Sequence, residues 1–143
     1  MSPVEAHARR YLERYATTRA HLRRLLRKRG EPEEIERVLD QLVAEGAIDD
    51  ARYAAGRAEA LARRGNSRAA IRGKLAAKGV REVPATDELA ACCEYVRKKR
   101  LGAFGSNERA KDLARVCRAG FPLDVARKVL AMTVEEVRGV LAG

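Results

Sequence analysis

Apolar side chains recur along the chain at intervals of three and four, the spacing that lines them up on one face of an α-helix. Val4, Ala8, Tyr11, Leu12 and Tyr15 form one such stripe, and Ile35, Val38, Leu39, Leu42 and Val43 form a second. A third runs through Tyr53, Ala54, Ala58, Leu61 and Ala62 until Gly65 and Asn66 end it. Leu89, Cys93 and Val96 mark a further helix ending near Arg100, and Leu101–Asn107 reads as a loop. Every periodic segment has helical spacing, so the predicted fold class is all-α.

The segment Thr18–Gly30 is echoed 49 positions later by Ser67–Gly79. Each reads as one helix with a hydroxyl N-cap, an apolar pair four residues apart (Leu22/Leu26 and Ile71/Leu75) and a closing glycine. A weaker third copy, Glu108–Gly120, places Arg109, Ala110 and Val116 on Arg19, Ala20 and Leu26. The following residues match too: Pro32, Glu34, Ile35 and Arg37 correspond to Pro122, Asp124, Val125 and Arg127. This predicts a tandem array of three three-helix repeats, residues 4–48, 49–86 and 87–143, within a single domain. The second repeat is abbreviated, because Val80–Thr86 is too short to hold its third helix.

Composition sharpens this picture. With 4% aromatics and no Trp among 143 residues, the cores are built from small and medium aliphatic side chains. The formal net charge is +10, and residues 49–100 hold 13 Lys/Arg against 7 Asp/Glu. A polyanion, or a protein that handles one, is the partner this balance suggests. No apolar run is long enough to span a membrane and no signal-peptide core opens the chain, so a cytoplasmic location is expected. The three cysteines have neither disulfide-framework nor zinc spacing and read as buried free thiols.

No catalytic constellation, metal site, cofactor site or phosphate loop emerges. His7 and His21 lie on separate helices without Cys or carboxylate partners at ligand spacing, and the Gly102–Gly105 stretch lacks a strand and a downstream Lys-Ser/Thr. Asp49 or Asp50 reads as the cap of the helix that follows. Many basic residues, such as Arg63, Arg64, Lys78 and Lys98–Arg100, fall in last helical turns, where cations complement exposed carbonyls. Arg23 and Arg24 lie mid-helix. On a wheel centred between Leu22, Leu25 and Leu26 they join Arg27 and Lys28 in one outward cationic strip with no acid on that helix. In the second copy Gly73, Ala76 and Ala77 match Arg24, Arg27 and Lys28, and with Ala69 they are small, which predicts a face covered by neighbouring helices.

Several of these segments resemble the RecX family. They are Ala8–Leu12, the Thr18–Leu22 helix with Lys28–Gly30, Glu34–Leu39, and above all Glu45–Ala54 with Asp49, Asp50, Arg52 and Tyr53. Arg97–Arg100, Phe104–Gly105 and Arg118–Phe121 extend the likeness, which covers residues 4–132. The resemblance implies an elongated, curved molecule that lodges in the groove of the RecA filament on single-stranded DNA. There it regulates recombinase and ATPase activity without being an enzyme itself, usually by inhibition, as part of homologous recombination, DNA repair and the SOS response. A monomer with no membrane partner is expected. The cations assigned to the partner-binding face are Arg23, Arg24, Arg27, Lys28, Arg63, Arg64, Arg68, Arg72, Arg97, Lys98 and Lys99. Asp49, Asp50, Arg52 and Tyr53 are read as structural: cap, interhelical ion pair and core aromatic. A stand-alone basic helical DNA-binding protein is the alternative, although the outer strip lacks the Asn, Gln or Ser that read base edges. Weak direct DNA binding stays open beside the filament reading.

Overall fold

A computed structural model describes residues 1–143 as nine α-helices and one short 3-10 turn, with no strand. In chain order the helices are α1 (Pro3–Arg14), α2 (Arg19–Leu26), α3 (Pro32–Ala44), α4 (Asp50–Arg63) and α5 (Arg68–Ala76). After a non-helical stretch come α6 (Glu88–Lys99), the 3-10 turn (Gly102–Phe104), α7 (Arg109–Arg118), α8 (Leu123–Leu130) and α9 (Val134–Ala142). No helix lies between Ala76 and Glu88. The stretch expected to be plain loop at 101–107 contains the 3-10 turn instead. Helix α9 is an addition that spacing alone did not mark; Thr133 and Glu136 close a reciprocal capping box at its start. No helix is long and apolar enough to cross a membrane.

The chain forms two compact units. The first comprises Met1–Gly56 and Leu75–Glu82. In it α1, α2 and α3 pack together around Val4, Ala8, Leu22, Leu26, Ile35, Val38, Leu39, Leu42 and Ile48. The second comprises Arg57–Lys74 and Val83–Gly143. In it α6, α7, α8 and α9 enclose Cys92, Cys93, Val96, Leu101, Val116, Phe121, Val129 and Val137. Burial of each Val, Leu, Ile or Phe among them contributes about 1.5–3 kcal/mol, which explains why the spacing of these residues dictates the helix faces.

Three expectations about faces need correction. Leu25 is 37% exposed, so the buried edge of α2 is Leu22 and Leu26 alone. Tyr15 and Val43, at the ends of their stripes, are also exposed. The small residues Ala69, Gly73, Ala76 and Ala77 are not covered by other helices but exposed, because Ile71 and Leu75 occupy the one buried face of α5.

The starts of α2 and α5 are built alike. Thr18 Oγ1 accepts from the His21 N–H, and Ser67 Oγ accepts from the Ala70 N–H at 3.1 Å. Each hydroxyl also donates, Thr18 to the Lys78 carbonyl and Ser67 to the Ala119 carbonyl at 2.7 Å. The residue after each carbonyl is a glycine at positive φ, Gly79 at 78° and Gly120 at 103°. A Cβ on Gly79 would lie 2.5 Å from the Ala20 Cβ, and one on Gly120 would lie 2.5 Å from Ser67 Oγ. Glycine is therefore demanded twice over, by backbone conformation and by close approach.

Candidate functional site

The cations of α2 divide into neutralised and unpaired ones. Arg23 is held bidentate by Glu36 on α3, at 2.7 and 2.9 Å. Arg19 reaches the same Glu36 at 3.2 Å and Asp40 at 2.6 Å. The guanidinium of Arg23, with that of Arg19 behind it, pulls the Glu36 carboxyl down to about 2. Arg24 donates at 2.6 Å to the Ala77 carbonyl, just past the end of α5, where a cation meets exposed carbonyls. Thus the two mid-helix arginines, which the spacing along α2 leaves unexplained, have partners within the chain. Arg27 and Lys28 are exposed and make no ion pair. Of the four cations in the strip, Arg23 meets a carboxylate, Arg24 meets only a carbonyl, and Arg27 and Lys28 make no ion pair.

In the second unit Arg63 pairs with Glu59, and Arg97 pairs with Glu94 at 2.6 Å. Lys98 lies 4.0 Å from Glu94 and donates at 2.9 Å to the Arg64 carbonyl, capping the end of α4 from a different helix. The Arg68 side chain donates to the Thr86 carbonyl at 2.6 Å while its backbone N–H donates to Glu88 at 3.0 Å. Arg64, Arg72 and Lys99 are exposed. Arg64, Lys98 and Lys99 converge on one cleft of about 370 Å³, which Gly65, Asn66, Ser67, Ala70, Tyr95 and Ala119 complete.

The two aspartates of the 45–54 segment act differently. Asp49 Oδ1 accepts from the Arg52 N–H at 3.0 Å and so caps α4, with the Arg52 side chain returning to Asp49 at 3.4 Å; the ion pair expected between helices is instead local to the start of α4, on an exposed side chain. Asp50 instead reaches α2, where its Oδ1 accepts from the Arg19 N–H at 2.9 Å. Of the two candidates for the α4 cap, Asp49 fills the role. Tyr53, expected as a core aromatic, is only half-buried and belongs to neither core. Cys92 and Cys93 are buried and Cys117 partly so; burial, aided by neighbouring Cys93, pushes the Cys92 thiol up to about 12. His21 is held below its ordinary value by burial and by the nearby Lys78 and Arg24 charges.

Other residues matter that spacing did not single out. Arg9 binds Glu45 through two 2.9 Å bonds and Glu5 through one of 3.0 Å. Asp112 is 3% exposed and accepts from the Gly102 N–H at 2.8 Å. A signal for Asp112 was present, since the third copy carries this acid where the others have Leu22 and Ile71. No group of three or more His, Cys, Asp or Glu side chains is placed to hold a metal ion. The chemistry the candidate residues offer is attraction of anions by exposed ammonium and guanidinium groups.

Fold and site together define a basic, all-helical protein whose candidate functional residues are surface cations. No protein-family model matches the chain. It is, however, 36% identical to the regulatory protein RecX of Myxococcus xanthus, over 89% of this chain and 83% of that protein. It is 34% identical to the regulatory protein RecX of Leptothrix cholodnii, over 93% of this chain and 90% of its relative. It is also 33% identical to that of Pseudomonas fluorescens, over 79% and 80%. The chain belongs to the RecX family of regulatory proteins.

Proposed function

We propose that this chain binds the RecA filament on single-stranded DNA and restrains its ATPase and strand-exchange activities, as a non-enzymatic cytoplasmic monomer. Membership of the RecX family carries this reading. The unpaired cations support it: Arg27 and Lys28 on one unit and Arg64, Arg72 and Lys99 elsewhere are exposed charges that a polyanionic nucleoprotein would meet first. Arg24 and Arg68 join them as cations bonded only to carbonyls. Arg23, Arg63 and Arg97 are weaker candidates because carboxylates already occupy them. Asp49, Asp50, Arg52 and Tyr53 serve folding rather than contact.

The same proposal includes three tandem repeats, residues 4–48, 49–86 and 87–143. Its support is the recurrence of one capping arrangement at α2 and α5: hydroxyl to carbonyl, first-turn N–H to an acid, and a positive-φ glycine after the carbonyl. Such recurrence is what stacked repeats require at successive contacts.

The test is a pull-down with RecA, with and without single-stranded DNA and a non-hydrolysable nucleotide, together with RecA ATPase and strand-exchange assays. Retention on assembled filaments with loss of ATPase is the expected result. Tight binding to bare DNA with filaments and ATPase untouched would overturn the reading in favour of a stand-alone DNA-binding protein.

A further inference from the structure

The cleft at the start of α5 lies where two side chains are small. Aligning the two copies places His21 on Ala70, and aligning the closing glycines of the second and third places Lys78 on Ala119. At the start of α2 those positions are filled. His21 Nδ1 lies 2.6 Å from Thr17 Oγ1, its ring meets Tyr11 edge-on at 6.1 Å, and Lys78 Nζ sits 3.4 Å from both ring nitrogens. At the start of α5, Ala70 and Ala119 leave about 370 Å³ open. The backbone frame is retained, since Ser67 makes the same two hydrogen bonds as Thr18. What has been removed is the filling.

The emptied space is lined with charge of one sign. Arg64, Lys98 and Lys99 line it and no carboxylate does. Lys98 is partly satisfied by the Arg64 carbonyl and by Glu94 at 4.0 Å, whereas Arg64 and Lys99 make no ion pair. Tyr95, Ala70 and Ala119 supply the less polar part of the wall. The volume falls within the roughly 300–1,000 Å³ of small-ligand sites, more than one carboxylate side chain fills. Two free cations beside a third match the concentrated charge of a phosphate better than that of a single carboxylate.

We propose that this cleft is a phosphate-binding site that takes a nucleotide, either free or within a single nucleic-acid strand. It is a direct contact made without RecA, and so goes beyond the filament reading. Fluorescence anisotropy of the full chain with a labelled oligothymidylate at low salt, no RecA being present, tests it. Arg64→Gln combined with Lys99→Gln should weaken binding by about tenfold or more. The double change should also lower the salt dependence by about 0.7, the contribution of one single-strand phosphate contact.

Ala70→His is the sharper variant, because it restores the filling used at α2. At pH 8, where an ordinary imidazole with pKa of about 6.5 is neutral, it removes no charge, yet it should weaken binding several-fold at an unchanged melting temperature. Displacement of the strand by millimolar dAMP or inorganic phosphate would identify a lone phosphate as sufficient. Strand binding that these fail to displace, but that Ala70→His still weakens, would identify the strand as the ligand. Undiminished binding by Ala70→His, or by the double Gln variant, would overturn the proposal. Competition by polyglutamate as effective as that by the oligonucleotide would overturn it too, in favour of an acidic protein segment. Because the assay contains no RecA, its failure leaves filament regulation to be judged on its own assay.

Discussion

The Asp50 carboxylate accepts a hydrogen bond of 2.9 Å from the backbone N–H of Arg19, at the first position of α2. Glu88, the first residue of α6, does the same for Arg68 at the first position of α5, at 3.0 Å. An acid opening one helix thus covers an orphan donor at the N-terminus of another, where negative charge also favours the helix dipole. Asp50→Ala should cost about 0.5–2 kcal/mol, and Asp50→Asn should be nearly silent because its side-chain oxygen still accepts. Asp50→Ser should behave like Ala, since the shorter side chain no longer reaches a neighbouring helix. Urea denaturation of the three variants checks this. A harmless Ser would place the Asp50 contribution within α4 instead.

Gly79 and Gly73 should respond oppositely to alanine. Gly79 combines φ of +78° with a Cβ position 2.5 Å from Ala20, so Gly79→Ala should lose at least about 1–2 kcal/mol from the left-handed backbone alone. Gly73 is helical and a Cβ there meets nothing within 4 Å, so Gly73→Ala should gain about 0.5–1 kcal/mol. Melting temperatures shifting in the same direction for both would contradict the assignment.

The helices and most of their buried faces are legible in the sequence because burial follows a period: Leu22 and Leu26, Ile71 and Leu75, and Ile35, Val38, Leu39 and Leu42 are all in cores. The hydroxyl caps Thr18 and Ser67 are legible for the same local reason. What spacing could not reveal is pairing between helices distant in sequence. Glu36 neutralises Arg23 from α3, Ala77 takes Arg24, and Lys98 caps α4 from α6. A wheel drawn for α2 alone therefore overstates its free charge. The cleft was hidden because it is defined by what Ala70 and Ala119 lack, and only the filled counterpart around His21 gives that absence meaning.

The Glu36 ion pair predicts a pH-dependent contribution to stability. Its carboxyl, ordinarily near 4.5, is depressed to about 2 in the folded chain, first by the Arg23 hydrogen bond. A depressed acid stabilises the fold fully above its unfolded pKa and loses that stabilisation as pH falls through the folded one. The stability difference between the wild type and Glu36→Gln should therefore be constant above about pH 5 and shrink between pH 4.5 and 2. Because Arg23 and Glu36 are 37% and 44% exposed, added salt should reduce the difference. A difference that persists unchanged at pH 2 would trace it to packing.

The thiols make a separate prediction. Cys92 and Cys93 are fully buried, and burial raises both thiols, Cys92 to about 12, so neither offers thiolate at neutral pH. A thiol-reactive chromophore should label at most Cys117 in the native protein and all three cysteines in denaturant. Rapid native labelling of two or more would show that the α6–α9 core opens readily.

The last prediction separates charges that act on a partner from charges that hold the fold. Arg27 and Lys28 are exposed and unpaired, so Arg27→Gln with Lys28→Gln should cost no more than roughly 0.5 kcal/mol each. The same pair should weaken inhibition of RecA ATPase, most at low salt, where exposed charges steer association furthest. Arg23→Gln removes the same formal charge as Arg27→Gln. It also breaks a bidentate bond and leaves Glu36 to Arg19 alone, so it should lower stability by up to about 1 kcal/mol. Its effect on RecA should be small once folding is restored at lower temperature, because Glu36 already offsets the charge of Arg23 in the free protein. Parallel measurement of melting temperature and ATPase inhibition across the three substitutions distinguishes these cases. If Arg23→Gln abolishes inhibition while Arg27→Gln with Lys28→Gln leaves it intact, the Arg23–Glu36 pair, and not the unpaired end of α2, is the surface the partner reads.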